Sequence, residues 1–96
     1  MKTAYPVVFV PAAEGGFTTY VPDFDINSQG NDLVEATEMV RDAIGIMGID
    51  REDDGETIPA ASSLANISAP ANGSVSLVDI DFTGYRRTLE MSVGSL

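Results

Sequence analysis

The residues able to do chemistry in this chain are almost all acids. Asp79 and Asp81 stand two apart in "VSLVDIDF", and Asp50, Glu52, Asp53, Asp54 and Glu56 crowd "DREDDGET". Two carboxylates on one strand face can hold Mg²⁺ for phosphoryl transfer. A two-metal nuclease also needs an acid on its first strand, and residues 1–13 contain none. The run "DREDDGETIPAA" resembles a calcium loop at its first, third and fifth positions and at Gly55, the sixth. Its twelfth position is Ala61, where the bidentate glutamate belongs. A solvated charged turn is the simpler reading. Ser28, Ser62 and Ser63 have no histidine to activate them, and a Ser-Lys pair would have to use Lys2. No catalytic, metal or cofactor residue is assigned.

Composition narrows the classes further. The chain has 96 residues, the size of one domain, with no cysteine and no histidine. Disulfides and thiolate metal sites are excluded, and the commonest general base is missing. Fifteen acids against five bases give a net charge of −10. Such a surface repels nucleic-acid phosphates and suits a basic protein partner. The same acidity would also serve solubility alone. Tyr85-Arg86-Arg87 is the one basic cluster, with a salt link to Asp79 and Asp81 as its expected role. Pro6 and Pro11 break the N-terminal apolar run, whose period-two pattern reads as a strand rather than a leader. No stretch approaches the length of a membrane span, so a cytoplasmic protein is expected.

The elements that must position these acids follow from pattern. Residues 4–10 form a strand with Tyr5, Val7 and Phe9 on one face. Both of its faces are apolar, which suggests a central strand, whereas Pro6 suggests an edge or a bulge. Gly15-Gly16 make a hairpin turn into residues 17–21, and Pro22-Asp23 end that strand. Residues 26–29 are a short third strand. Asp32 caps a helix, with Glu35 completing a capping box. Leu33, Ala36, Thr37, Val40, Ala43, Ile44 and Met47 give that helix its apolar stripe, and Gly48 is its expected C-cap. Residues 51–73 read as a long loop, residues 75–82 as the last strand, and residues 83–96 as a C-terminal tail. The expected fold is α+β: a single domain over 1–96, ordered β-β-β-α-β, with the helix on one face of a small antiparallel sheet.

The order of the short motifs resembles the HicB family of bacterial antitoxins. "YPVV" at Tyr5–Val8, the turn and strand at Gly15-Gly16-Phe17-Thr18, Pro22-Asp23, Gln29-Gly30 and Tyr85-Arg86-Arg87 are similar to the family's motifs, and "DGETIPAAS" from Asp54 to Ser62 resembles its "DGExIPxPS", with Ala61 in place of the proline. The usual "PDLPGC" loop reads "PDFDIN" here. Many members continue into a DNA-binding segment, and this sequence stops at Leu96 before one. The resemblance implies a partial ribonuclease H-like fold without catalytic acids. It implies neutralisation by blockade of a small basic HicA-type toxin that cleaves mRNA, and self-association as a dimer or higher oligomer. A stand-alone binding module and a metal-dependent ribonuclease H-like nuclease are the alternatives. No family motif assigns toxin contacts. Charge nominates Glu35, Glu38 and Asp42 on the helix, and Asp50, Glu52, Asp53, Asp54 and Glu56 after it.

Overall fold

The computed structural model describes residues 2–94, with side chains as far as residue 90. Strands β1 (Lys2–Pro11), β2 (Phe17–Val21) and β3 (Ile26–Gly30) precede helix α1 (Leu33–Asp53). Strand β4 (Ser74–Asp81) then leads directly into helix α2 (Phe82–Gly94). The four strands form one antiparallel sheet in the order β3-β2-β1-β4. As expected, α1 packs on one face of it.

Alternation along β1 turns Tyr5, Val7 and Phe9 inward, where they meet Val21 of β2, Val78 and Ile80 of β4, and Ala36, Val40 and Ile44 of α1. Phe24 and Phe82 complete this core, both with their rings edge-to-face against Tyr5. The conflict over Pro6 resolves through register. β1 lies between β2 and β4, but its last pair with β2 is Val8↔Tyr20. Pro6 lies beyond that point and pairs only with Leu77 of β4. A residue without an N–H is tolerated where the strand has one neighbour. The hairpin turn uses both expected glycines, at φ 101° and 77°.

The start of α1 follows the sequence closely. Asp32 Oδ1 accepts the Glu35 N–H at 2.8 Å, and Glu35 Oε1 accepts the Asn31 N–H at 2.8 Å. Leu33 departs from the expected core stripe at 53 % exposure. The first turn instead meets β3 through Ala36 and the backbone of Gly30.

The end of α1 corrects the expected boundary. Gly48 does not stop the helix, which continues to Asp53. The left-handed residue is Gly55, at φ +79°. Its N–H donates to the Glu52 carbonyl and the Glu56 N–H to the Arg51 carbonyl, a Schellman closure. Gly45 and Gly48 serve a different purpose. A Cβ on Gly45 would lie 2.9 Å from the Tyr85 ring, and one on Gly48 2.3 Å from Phe82 Cε1. These glycines let the aromatic side chains of α2 sit against the α1 backbone. The expected tail is accordingly a helix as far as Gly94, and its last two residues lie outside the described residues. Gly48→Ala gains about 1 kcal/mol of helix propensity but overpacks a buried ring at a cost of roughly 1–3 kcal/mol. We expect a net loss of up to about 2 kcal/mol, read from the urea midpoint at unchanged slope.

The long loop consequently begins at residue 54 rather than 51. It is pinned at several points. Tyr5 donates its hydroxyl to the Pro59 carbonyl at 2.7 Å, and the Ser62 N–H donates to Asp23 Oδ2 at 2.9 Å. The Ser62 hydroxyl bonds the other oxygen of the same carboxylate. Ile58 packs against the core. Beyond a single 3-10 turn at Leu64–Asn66, Ser68 and Pro70 line a recess with Val8 and Val10 on the face opposite α1. The loop is a strap that crosses the end of the sheet and covers part of its second face.

Candidate functional site

Helix α1 carries its chemistry on the side turned away from the sheet. Steps of three and four residues place Glu35, Met39, Asp42, Ile46, Asp50 and Asp53 along one outward line, with Glu38 beside it. All seven are exposed. Met39 and Ile46 are large apolar side chains at 48 % and 52 % exposure, two turns apart, with carboxylates between and around them. The N-terminal end of this line opens into a cleft of about 480 Å³ between the β1–β2 turn and α1. Glu14, Phe17, Gly30, Asn31, Glu35 and Met39 are among its lining residues.

The eight nominated acids divide into distinct groups. Glu38 and Asp42 lie on the outward face of α1, as expected. Glu35 is there too, with one carboxylate oxygen engaged in the helix cap. Asp50, Glu52 and Asp53 belong to the last turns of α1 rather than to a loop, because the helix runs on past Gly48. Asp54 is the C-cap and Glu56 follows the left-handed Gly55. Glu52 and Asp53 both bind Arg86 of α2, at 3.0 and 2.9 Å. Hydrogen bonds donated to Asp53 and then Glu52 raise the guanidinium pKa above its already high ordinary value. Their charge is thus partly spent within the molecule, fastening α2 to α1.

That pairing corrects the expected role of Arg86, which does not reach Asp79 or Asp81. Asp79 is met by Arg41 of α1, whose Nη2 lies 3.1 Å from Oδ1 and whose Nε donates to the Asp79 carbonyl at 2.8 Å. The second bond satisfies an outward carbonyl on the edge strand β4. Asp81 Oδ1 accepts the Gly84 N–H at 3.2 Å, which holds its carboxyl below the usual carboxylate range. Among the described residues, no three acids are gathered as a metal site. No helix among them is long and apolar enough to cross a membrane.

All three tyrosines ionise above their ordinary value near 10. Burial raises Tyr5 and Tyr85, assisted by Asp23 and Asp42 respectively, and a hydrogen bond to Asp25 raises Tyr20. A phenol whose folded pKa is raised stabilises the fold fully below its unfolded pKa. That contribution is lost as pH climbs through the folded value. Stability should therefore fall above about pH 10. Phenolate absorbance should appear later in the native protein than in the urea-unfolded chain. Coincident titrations would contradict this environment.

Sequence reasoning missed Met39, Ile46 and Glu14. A signal for the first two existed. They are, with Val34 and Ile49, the large apolar residues of the helix left off the stripe that Val40, Ile44 and Met47 define. Glu14 carried none, because only folding brings the hairpin turn beside the start of α1.

A small α+β domain with an acidic, solvent-facing helix is the class that this fold and surface define. No protein-family model matches the chain, and no curated protein does. Solved structures do. A chain of the toxin–antitoxin complex from Streptococcus pneumoniae superposes with a TM-score of 0.79, at 21 % identity, over 88 % of this chain and 73 % of that one. A chain of the HicA3 and HicB3 toxin–antitoxin complex gives 0.65, at 23 % identity, over 82 % of this chain and 99 % of that one. The protein has the fold found in chains of these complexes.

Proposed function

We propose that this chain is a HicB-like antitoxin domain. It binds a small basic HicA-type toxin that cleaves mRNA and neutralises it by covering the RNA-binding surface and catalytic residue. The observation that carries this reading is the likeness of nearly the whole fold to chains of two toxin–antitoxin complexes. The net charge of −10 and the acidic outer face of α1 support a cationic protein partner and speak against direct binding to RNA or DNA. The engagement of Asp79 by Arg41 and of Asp81 by the Gly84 amide supports a binding rather than a catalytic role. The protein acts in the cytoplasm, as a dimer or higher oligomer.

The test is light scattering after size-exclusion chromatography, on the chain alone and mixed with its proposed HicA-type toxin. A stable complex that also abolishes the partner's RNase activity is expected. A chain that ignores the toxin would leave a stand-alone binding module. Mg²⁺-dependent RNA cleavage lost in Asp79→Asn would overturn the reading in favour of a nuclease.

A further inference from the structure

Met39 and Ile46 stand on the outward side of α1 without a partner element over them. The fold has no use for them there. The sheet is served by Ala36, Val40 and Ile44, and α2 packs against the same helix at Gly45 and Gly48. Two half-exposed apolar side chains framed by carboxylates form the pattern of a protein interface, an apolar centre inside a polar rim. Exposure alone would not say what covers them; the charge does. Glu35, Glu38, Asp42 and Asp50 surround the pair, so two copies of this face set against each other would oppose like charges around their whole rim. A cationic surface meets no such penalty.

We infer that the outer line of α1 is the docking face for a cationic protein, with Met39 and Ile46 as its buried centre and Glu35, Glu38, Asp42 and Asp50 as its rim. The face ends in the cleft by the hairpin turn, which receives one lysine or arginine side chain of the partner. Glu14 and the carboxylate oxygen of Glu35 not used in the cap meet the cationic head, while Phe17 and Met39 flank its aliphatic stem. The two groups of residues divide the work of binding. Rim carboxylates steer encounter and so govern association and its salt dependence. The apolar centre, once desolvated, governs how long the complex lasts.

This inference rests on the antitoxin reading, and the experiment separates the two. Binding of the proposed HicA-type toxin is followed by surface plasmon resonance at low and high salt. Met39→Gln/Ile46→Gln keeps helix-favouring, uncharged side chains at exposed sites. It should weaken the complex by about 10- to 100-fold, mainly through faster dissociation. Glu14→Gln/Glu38→Gln/Asp42→Asn should slow association by roughly tenfold at low salt, with the difference shrinking at high salt. Failure of the wild-type chain to bind would sink the antitoxin reading and this face with it. Wild-type binding that neither variant changes would sink the face alone. Conversion of a self-associated chain to monomer by Met39→Gln/Ile46→Gln would make the face a contact between copies and overturn the inference.

Discussion

Gly30→Ala is expected to cost about 3 kcal/mol or more, at the upper end of what overpacking does. The cause is not a left-handed backbone, since the positive-φ glycines are Gly15, Gly16 and Gly55. It is the approach of α1 to the end of β3. A Cβ on Gly30 would lie 2.3 Å from the Ala36 amide nitrogen and 2.7 Å from the Glu35 carbonyl carbon. These are backbone atoms of the first helical turn, so no rotamer change can relieve the overlap. The turn that would have to move is fixed by the Asp32 cap and by Ala36, which is fully buried against the sheet. On the other side, Gly16 packs against the Gly30 carbonyl so closely that a Cβ there would lie 2.4 Å away. The variant should unfold at a much lower urea concentration. A midpoint within experimental error of wild type would show that the helix and strand can separate at this point.

Tyr5→Ala should be comparably damaging, at about 3–5 kcal/mol for emptying a fully buried aromatic site. Tyr5 makes edge-to-face contacts with Phe24, at 5.0 Å between centroids, and with Phe82, at 6.3 Å. Its ring therefore joins the turn after β2 to the first residue of α2. Its hydroxyl adds a separate contribution by holding the strap at the Pro59 carbonyl. Tyr5→Phe isolates that contribution and should cost only about 1 kcal/mol. It should, however, speed proteolytic cleavage within residues 54–73 at concentrations of urea that leave the core folded. Equal cleavage rates in Tyr5→Phe and wild type would mean that Ser62 and Ile58 hold the strap without it.

Much of this was legible in the sequence where local chemistry and packing agree. Alternation along β1 gave the inward face Tyr5-Val7-Phe9, the paired glycines gave the hairpin, and Asp32 with Glu35 gave the start of α1. What could not be read was contact between distant segments. Gly48 resembles a stop signal because glycine is a poor helix former. Only the arrival of Phe82 shows that the missing Cβ is room for a ring. Once α1 is longer, Asp50, Glu52 and Asp53 move from loop to helix, and Arg86 finds Glu52 and Asp53 instead of the nearer acids Asp79 and Asp81. The acidic part of the candidate face was accessible from charge alone. Its apolar centre was accessible only by asking which residues of the helix the sheet does not need.

The pairing of β1 with β4 also bears on how the chain acquires its structure. The longest ladder in the sheet runs from Lys2↔Asp81 to Phe9↔Ser74, so β1 is synthesised about 70 residues before its main partner. Hairpin β1–β2, strand β3 and α1 can assemble early, but Val78 and Ile80 still have to fill the core beneath α1. Contacts this far apart in sequence carry a large loop-closure cost before they stabilise anything, and they slow folding. Until β4 docks, β1 presents an open apolar edge over much of its length, which is a template for aggregation. The outer face of α1 thus gains a firm footing only after residues 74–81 have been made, and ribosome-bound chains lacking them should be unable to present it.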